Sequence, residues 1–302
     1  MTKTYAIVVT FNRCELLSRC LTAIVSQTRK LDRILIVDNA STDSTGEMLV
    51  RDGWLERPDI ELFTLPNNRG GAGGFAHGMR KAIDSGADWL WMMDDDAAPL
   101  PDAFENLFEI VDSAGAIYGS VAKAHDEHLC WPLCSLNRNT FNFAYEVPAK
   151  GEVPTLPFLG ILISRETVLN IGYPDADYFI AGDDTEYCFR ARSHGLHIFA
   201  AGRSHLLHPP SEFYRFGFGK WAPLCFYITP WKRYYDVRNR ILTSWKKGGI
   251  YVWTRTLPAT LLRLIASLIN EPERSLQLRA YIAGTCDGLR KIKGKRHQLW
   301  RL

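Results

Sequence analysis

The chain has 302 residues, 46% of them apolar and 23% charged, with a net charge of only +3. That length supports one large domain, or a domain with an appendage, and that composition excludes a disordered, collagen-like or disulfide-framework protein. The start, MTKTYAIVVTF, runs straight into a strand-like segment with no signal-type apolar region or cleavage site, so the protein is expected in the cytoplasm.

In chain order, residues 5–11 (YAIVVTF) are a short β-branched run read as a buried strand. Residues 14–27 place Leu17, Leu21 and Ile24 at helical spacing. A strand is expected over 33–41, a helix over 44–55, a third strand over 60–66, a helix over 74–86 and a fourth strand over 88–96. This alternation predicts an α/β fold: a Rossmann-like, mostly parallel central sheet flanked by helices. His125, His128, Cys130 and Cys134 lie within ten residues and invite a zinc reading, but they lack a second ligand pair and read more simply as loop. Residues 130–157, rich in Pro, Asn and aromatics, read as loop throughout. A strand and helix follow over 158–172, a loop leading into a helix over 178–195, and a strand and loop over 197–211. Seven cysteines without framework spacing fit reduced thiols.

After residue 230 the pattern changes to long, basic, helix-compatible segments. The expected division is a catalytic body over 1–230 and a basic helical region over 231–302. That region holds 16 Lys+Arg against 4 Asp+Glu, a balance of +12, leaving −9 for the rest. Such asymmetry predicts an anionic partner for the tail, a nucleic acid or a membrane surface. Residues 251–270 are rich in Leu and Ile, but Arg255, Pro258 and Arg263 interrupt them and argue against a spanning helix. With the basic end LRKIKGKRHQLWRL they read as an amphipathic anchor on an anionic membrane, or as helices packed on the body or in a homo-oligomer.

In doubly wound sheets, ligands bind outside the carboxyl ends of the strands. Thr10, Asn12 and Arg13 follow the first strand, Asp38 ends the second, NNRGGAGGFAHG (67–78) follows the third, and Asp94, Asp95 and Asp96 close the fourth. Three adjacent carboxylates repel one another, and a divalent cation such as Mn²⁺ or Mg²⁺ is the simplest reason to gather them. On an extended chain Asp94 and Asp96 point one way and Asp95 the other. A capped helix start is the alternative, but a cap needs one Asp, not three. The glycine loop lets backbone approach a ligand, with the following helix offering N–H groups to phosphate; a tight turn explains it equally well. Asp183, Asp184 and Glu186 precede a helix, where acids serve as caps and dipole partners or, near a sugar donor, as a proton acceptor. His205 and His208 fall at the end of the last strand, at the same sheet edge, and a neutral imidazole suits a metal.

The ordered set VVTFNR, IVDNASTDST, NNRGGAGGFAHG, MMDDDA and IAGDDTEYCFRAR resembles the family 2 glycosyltransferases of GT-A fold, over about residues 4–240. Within them it is most similar to bacterial galactofuranosyltransferases and their rhamnosyltransferase relatives. The resemblance implies that Thr10, Asn12 and Arg13 line the nucleotide pocket, that Asp38 reads the uracil or its ribose, and that Asn68, Gly71, Gly74 and Asp95 lie by the donor. It matches Asp94 and Asp96 to the metal-binding DXD pair, Asp184 to the general base with Asp183 beside it, and His208, with His205 as runner-up, to a metal-binding histidine. It implies an inverting transfer from UDP-galactofuranose, or alternatively dTDP-rhamnose, to a lipid-linked glycan on the inner face of the cell membrane. Two rivals fit less well. A sugar-phosphate nucleotidyltransferase would carry glycines where TFNRCELL stands, and a non-catalytic nucleic-acid or membrane-binding module gives no use for the acid triplet; no nucleic-acid motif appears.

Overall fold

The computed structural model describes residues 2–217 and 224–302. The chain divides into two compact units, Met1–Asp175 with Tyr187–Pro210, and Ala176–Glu186 with Ser211–Leu302. The change in composition at 230/231 falls inside the second unit.

The chain begins with β1 (Thr4–Thr10), α1 (Cys14–Val25), β2 (Arg33–Asp38), α2 (Thr45–Arg51), β3 (Ile60–Thr64), α3 (Gly70–Asp84) and β4 (Trp89–Asp94). It continues through β5 (Ala98–Pro99), α4 (Ala103–Glu109), β6 (Ala116–Lys123), β7 (His128–Cys134), β8 (Thr140–Phe143), β9 (Gly151–Glu152), β10 (Ile161–Ser164) and α5 (Arg165–Ile171). Then come α6 (Asp183–Ser193), which opens in the second unit and ends in the first, and β11 (His197–Leu207). The sheet runs β3-β2-β1-β4-β10-β6-β11-β5. The first four strands are parallel, as expected, while β10 is antiparallel to both its neighbours.

All seven residues of β1 are buried. A strand covered on both faces reads as a continuous apolar run. Its odd residues, Tyr5, Ile7 and Val9, join one core, and its even residues, Ala6 and Val8, join the other. Helix α1 covers the even side with Leu17, Cys20, Leu21 and Ile24. Helix α3 covers the odd side at close range: a Cβ added at Gly78 would lie 2.5 Å from Ile7 Cγ2.

Two expectations are corrected. Residues 130–157 are not all loop, because β7 and β8 pair antiparallel and β9 joins β11. Pro132 within β7 and the polar Asn and Thr of β8 masked this edge hairpin, most of whose residues are exposed or half-exposed. The glycine stretch is likewise not a loop before a helix, since α3 starts at Gly70 and runs through it.

The second unit contains a ribbon of β12 (Phe213–Arg215) and β13 (Leu224–Phe226), then α7 (Pro230–Lys246), the short α8 (Gly249–Tyr251), α9 (Leu257–Asn270) and α10 (Arg274–Leu289). Tyr234, Tyr235, Ala280 and Ala283 form one small core of α7 and α10, and Val237, Ile241 and Tyr281 belong to another. Arg233 and Glu271, both almost fully buried, pair at 2.7 Å, and Tyr214 Oη and Gln277 Nε2 also donate to the Glu271 carboxylate. No helix among the described residues is long and apolar enough to cross a membrane.

Candidate active site

The strand order turns at β1, which has β2 on one side and β4 on the other. The crevice at such a switch point is where doubly wound sheets bind ligands. Register aligns the strand ends there: Thr10 stands opposite Asp38, and Val9 opposite Asp94.

β4 ends at Asp94 and the chain turns, with Ala97 N donating to the Asp94 carbonyl at 3.3 Å. The extended alternation expected for the triplet therefore stops at Asp94. Asp95 is buried, and its Oδ2 accepts from Thr10 Oγ1 at 2.7 Å and Phe11 N at 3.4 Å. Its Oδ1 accepts from Arg13 Nη1 at 3.1 Å, and the same nitrogen meets Asp96 Oδ2. Thr10 and Asp95 thus clamp β1 to β4, their polar atoms turned to one another.

Asp96 comes to His208 because β5 pairs antiparallel with the end of β11, Ala98 opposite Leu207. His208 N donates to the Lys123 carbonyl, and Cys130 Sγ to the His208 carbonyl. Nε2 of His208 lies 3.4 Å from Asp96 Oδ1. Asp96 Oδ1 and His208 Nδ1 are buried without a hydrogen-bond partner, so the Nε2 contact is an ion-pair approach rather than an aligned hydrogen bond. Burial works against both charges, but His208 and Arg13 hold Asp96 down to about 2, and Asp96 and Cys130 raise His208 to about 10. For Asp95 burial dominates and pushes the carboxyl upward despite Thr10 and Arg13. A cleft of about 180 Å³ opens here, lined by Arg19, Cys20, Asp96, Lys123 and His208 among others. His205 does not line it; its Nε2 is buried without a partner elsewhere on β11.

No group of three or more His, Cys, Asp or Glu side chains among the described residues is gathered as a metal site on its own. That covers the His125–Cys134 cluster: Cys134 is exposed, Cys130 faces a carbonyl, and His128 pairs with Asp126 at 2.9 Å.

Asn12, with φ of +53°, is a fastener rather than an open group. Its Oδ1 accepts from Thr42 N at 2.7 Å and Asp43 N at 3.3 Å, and its own N–H donates to Ser41 Oγ. Asp38 is buried and accepts from Ser41 N at 2.9 Å. Asn39 ties this edge to α3, donating to the Gly70 carbonyl and accepting from Arg69 N, while Asn68 Oδ1 accepts from Gly70 N at 2.8 Å. The glycines divide by role. A Cβ at Gly74 would lie 2.5 Å from Val9 Cγ1, so packing alone demands glycine there, whereas a Cβ at Gly71 would meet open space, leaving its backbone approachable.

In the second unit, α6 opens with Asp183 and Asp184. The segment before it is contorted: Phe179, Ala181 and Gly182 all have left-handed φ, between +65° and +78°. Two fully buried neighbours on α7 hold it. The Asn239 carboxamide donates to the carbonyls of Tyr178, Ile180 and Ala181 at 2.7–3.0 Å. Arg238 donates to the carbonyls of Asp177 and Tyr178 and to Asn239 Oδ1. Glu186, also buried, pairs with Lys246 at 2.9 Å. Burial and the adjacent Asp184 carboxylate push Asp183 well above the ordinary carboxylate range, and burial raises Asp184 too. Asp184 Oδ1 accepts from Thr185 N at 2.5 Å.

Sequence reading missed the roles of Asn39, Arg238 and Asn239. The hint for the last two was their spacing: Arg238 and Asn239 each follow a core tyrosine, Tyr234 and Tyr235, by four residues and so share its face. Asn239→Ala should destabilise the fold by about 2–3 kcal/mol, because three strained-loop carbonyls lose their donor. Denaturant melts check this; an unchanged midpoint would mean that the loop holds its shape without the amide.

The glycosyl transferase family 2 model matches residues 5–172, which include both sides of the switch point and the acid turn. The chain belongs to that family. A galactofuranosyltransferase, GlfT1 of Mycobacterium tuberculosis, is 32% identical over 250 residues, covering 78% of this chain and 80% of its own. A dTDP-rhamnosyl transferase, RfbF of Shigella flexneri, is 24% identical over 300 residues, covering 96% of each. Among solved structures, the mannosyltransferase PcManGT from Pyrobaculum calidifontis, in complex with GDP-Man and Mn²⁺, superposes with a TM-score of 0.59 at 17% identity, covering 95% of this chain and 87% of that one. This glycosyltransferase therefore has the GT-A fold, and the acid turn, Arg13 and His208 lie at the carboxyl-end edge of its sheet.

Proposed function

We propose that this glycosyltransferase is a divalent-cation-dependent, inverting enzyme that moves galactofuranose from UDP-galactofuranose onto a lipid-linked glycan during synthesis of a bacterial surface polysaccharide. The observation that carries the cation is the Asp96–His208 pair: two half-buried side chains lining one cleft, each with a polar atom that lacks a hydrogen-bond partner, with Asp96 Oδ1 3.4 Å from His208 Nε2. Ligands adjacent on one octahedral ion at about 2.1 Å stand about 3 Å apart, so the pair has nearly the spacing a shared ion requires. Two protein ligands leave positions for a diphosphate, which fits a chain that gathers no larger cluster among its described residues. Asp94, at the strand end, is the third candidate. When bound, Mn²⁺ or Mg²⁺ would neutralise the charge that develops on the leaving diphosphate.

The chain's own residues supply the rest. Arg13 neutralises Asp95 and Asp96, and its half-exposed guanidinium is placed to exchange a carboxylate for a phosphate oxygen. Thr10, Asn12, Asp38 and Asn68 work mainly by fixing the backbone around the nucleotide, and Gly71 leaves room for it. Asp184 takes the proton of the acceptor hydroxyl as that oxygen attacks the anomeric carbon from the face opposite the diphosphate. Asp183, held protonated by burial, keeps like charge off it. A single displacement inverts the anomeric configuration.

Galactofuranose is favoured over rhamnose because the galactofuranosyltransferase relative is more identical, 32% against 24%. A cytoplasmic enzyme with a lipid-linked acceptor works at a membrane face, and the basic 231–302 region is the part suited to an anionic surface. Melting shifts with Mn²⁺ test the donor: UDP-galactofuranose should raise the Tm through linkage, by about 2.7 kcal/mol of stability at a hundred times its Kd, and dTDP-rhamnose should not. A shift with dTDP-rhamnose alone would reassign the donor.

A further inference from the structure

Helices α9 and α10 are built inside out. A surface helix ordinarily turns its Leu and Ile inward and its polar residues to water. On α9, Leu261, Ile265 and Ile269 face solvent at 59%, 43% and 56% exposure, while Thr260, Ala266 and Ser267 are buried. On α10, Leu278 and Ile282 are exposed, while Gln277, Ala280, Ala283, Gly284, Asp287 and Gly288 are buried beside one large side chain, Tyr281. Small inward residues let backbones approach closely: a Cβ at Gly284 would lie 2.6 Å from the Tyr234 carbonyl of α7, and one at Gly288 2.9 Å from Ile241. Small residues between helices with Leu and Ile outside is the pattern of helices whose solvent is lipid. The apolar face continues into exposed Trp253 and Ile250, and a groove of about 590 Å³ runs along it between Trp253, Leu257, Leu261, Tyr281 and Ile282.

We infer that this face lies in the headgroup–acyl boundary of an anionic membrane, with α9 and α10 parallel to its plane. The inference rests on the membrane contact proposed above and assigns it to particular residues. Charge selects the occupant. Arg255 just before α9, Arg274 and Arg279 on α10 and Arg290 at its end are all exposed, in a region with a balance of +12. Two copies meeting through it would bring like charges together, whereas anionic headgroups would neutralise them. Composition selects the orientation: Arg255 and Arg263 interrupt the helical run 249–270, and no helix among the described residues is long and apolar enough to cross a membrane, so the run lies in the interface.

The test uses the full chain and sedimentation with phosphatidylcholine vesicles, with and without about a third phosphatidylglycerol. The wild type should sediment with the anionic vesicles and be partly released by high salt. The triple variant Leu261→Gln, Ile265→Gln, Ile269→Gln should partition at least about tenfold less, with unchanged circular dichroism and an unchanged nucleotide-sugar melting shift. That shift separates the two readings, because it reports donor binding whether or not lipid is engaged. Equal sedimentation of variant and wild type would overturn the inference. So would failure of the wild type to bind either vesicle, or a wild-type dimer in lipid-free light scattering that the triple variant dissolves.

Discussion

Asp184→Asn leaves donor binding intact and lowers kcat by about two to four orders of magnitude, the span a positioned general base contributes. The amide keeps the shape and the contact with Thr185 N but cannot take a proton. The pH profile is the sharper readout. Burial raises Asp184, and a general base acts only when ionised, so kcat should fall with decreasing pH along a limb above the ordinary value of 3.8. In the variant that limb should vanish along with most of the rate. Asp183 carries a second sign. Its proton is held more tightly in the folded chain than in the unfolded one, so its contribution to stability falls as pH rises from the unfolded value of 3.8 through its raised folded value. Asp183→Asn should therefore raise the melting temperature near pH 8, while Asp184→Asn with near-normal turnover would remove Asp184 from the base's place.

Asp96→Ala should lose metal-dependent nucleotide binding and lower kcat/KM by about a thousandfold, or ~4 kcal/mol of transition-state stabilisation. The variant also strands His208 without the Asp96 carboxylate that raises it. Titration of UDP by calorimetry separates the two consequences. With Mn²⁺ the wild type should bind far more tightly than without it, and the variant should show one weak affinity in both conditions. Equal tight binding would assign the cation elsewhere.

Much of this arrangement was legible in the sequence because burial leaves a trace in residue type. β1, β2 and β4 are apolar on both faces, and no other element reads as YAIVVT or WLWMM. The polar residues at their ends were equally visible, but their division of labour was not. Thr10, Asn12 and Asp95 are the residue types that contact a ligand, and they are also the types that fasten a strand end to its neighbour; only the hydrogen bonds distinguish the two. The glycines misled in the same way. Residues 70–73 read as a loop before the helix expected over 74–86, yet they are the first turn of α3, and at Gly74 and Gly78 β1 approaches that helix too closely for any side chain. Alternation placed Asp94 and Asp96 together on an extended strand, but the turn after Asp94 sends Asp95 to Thr10 and Asp96 to His208. Arg238 and Asn239 were hidden because buried polar residues on a helix have the same letters as exposed ones.

The most direct measurement is a crystal of the chain grown with UDP and MnCl₂, with data collected at the manganese absorption edge. The account predicts an anomalous peak against Asp96 and His208, bridged to the diphosphate, with Arg13 drawn off the acidic turn. Manganese and nucleotide bound away from the acid turn that follows β4 would contradict it.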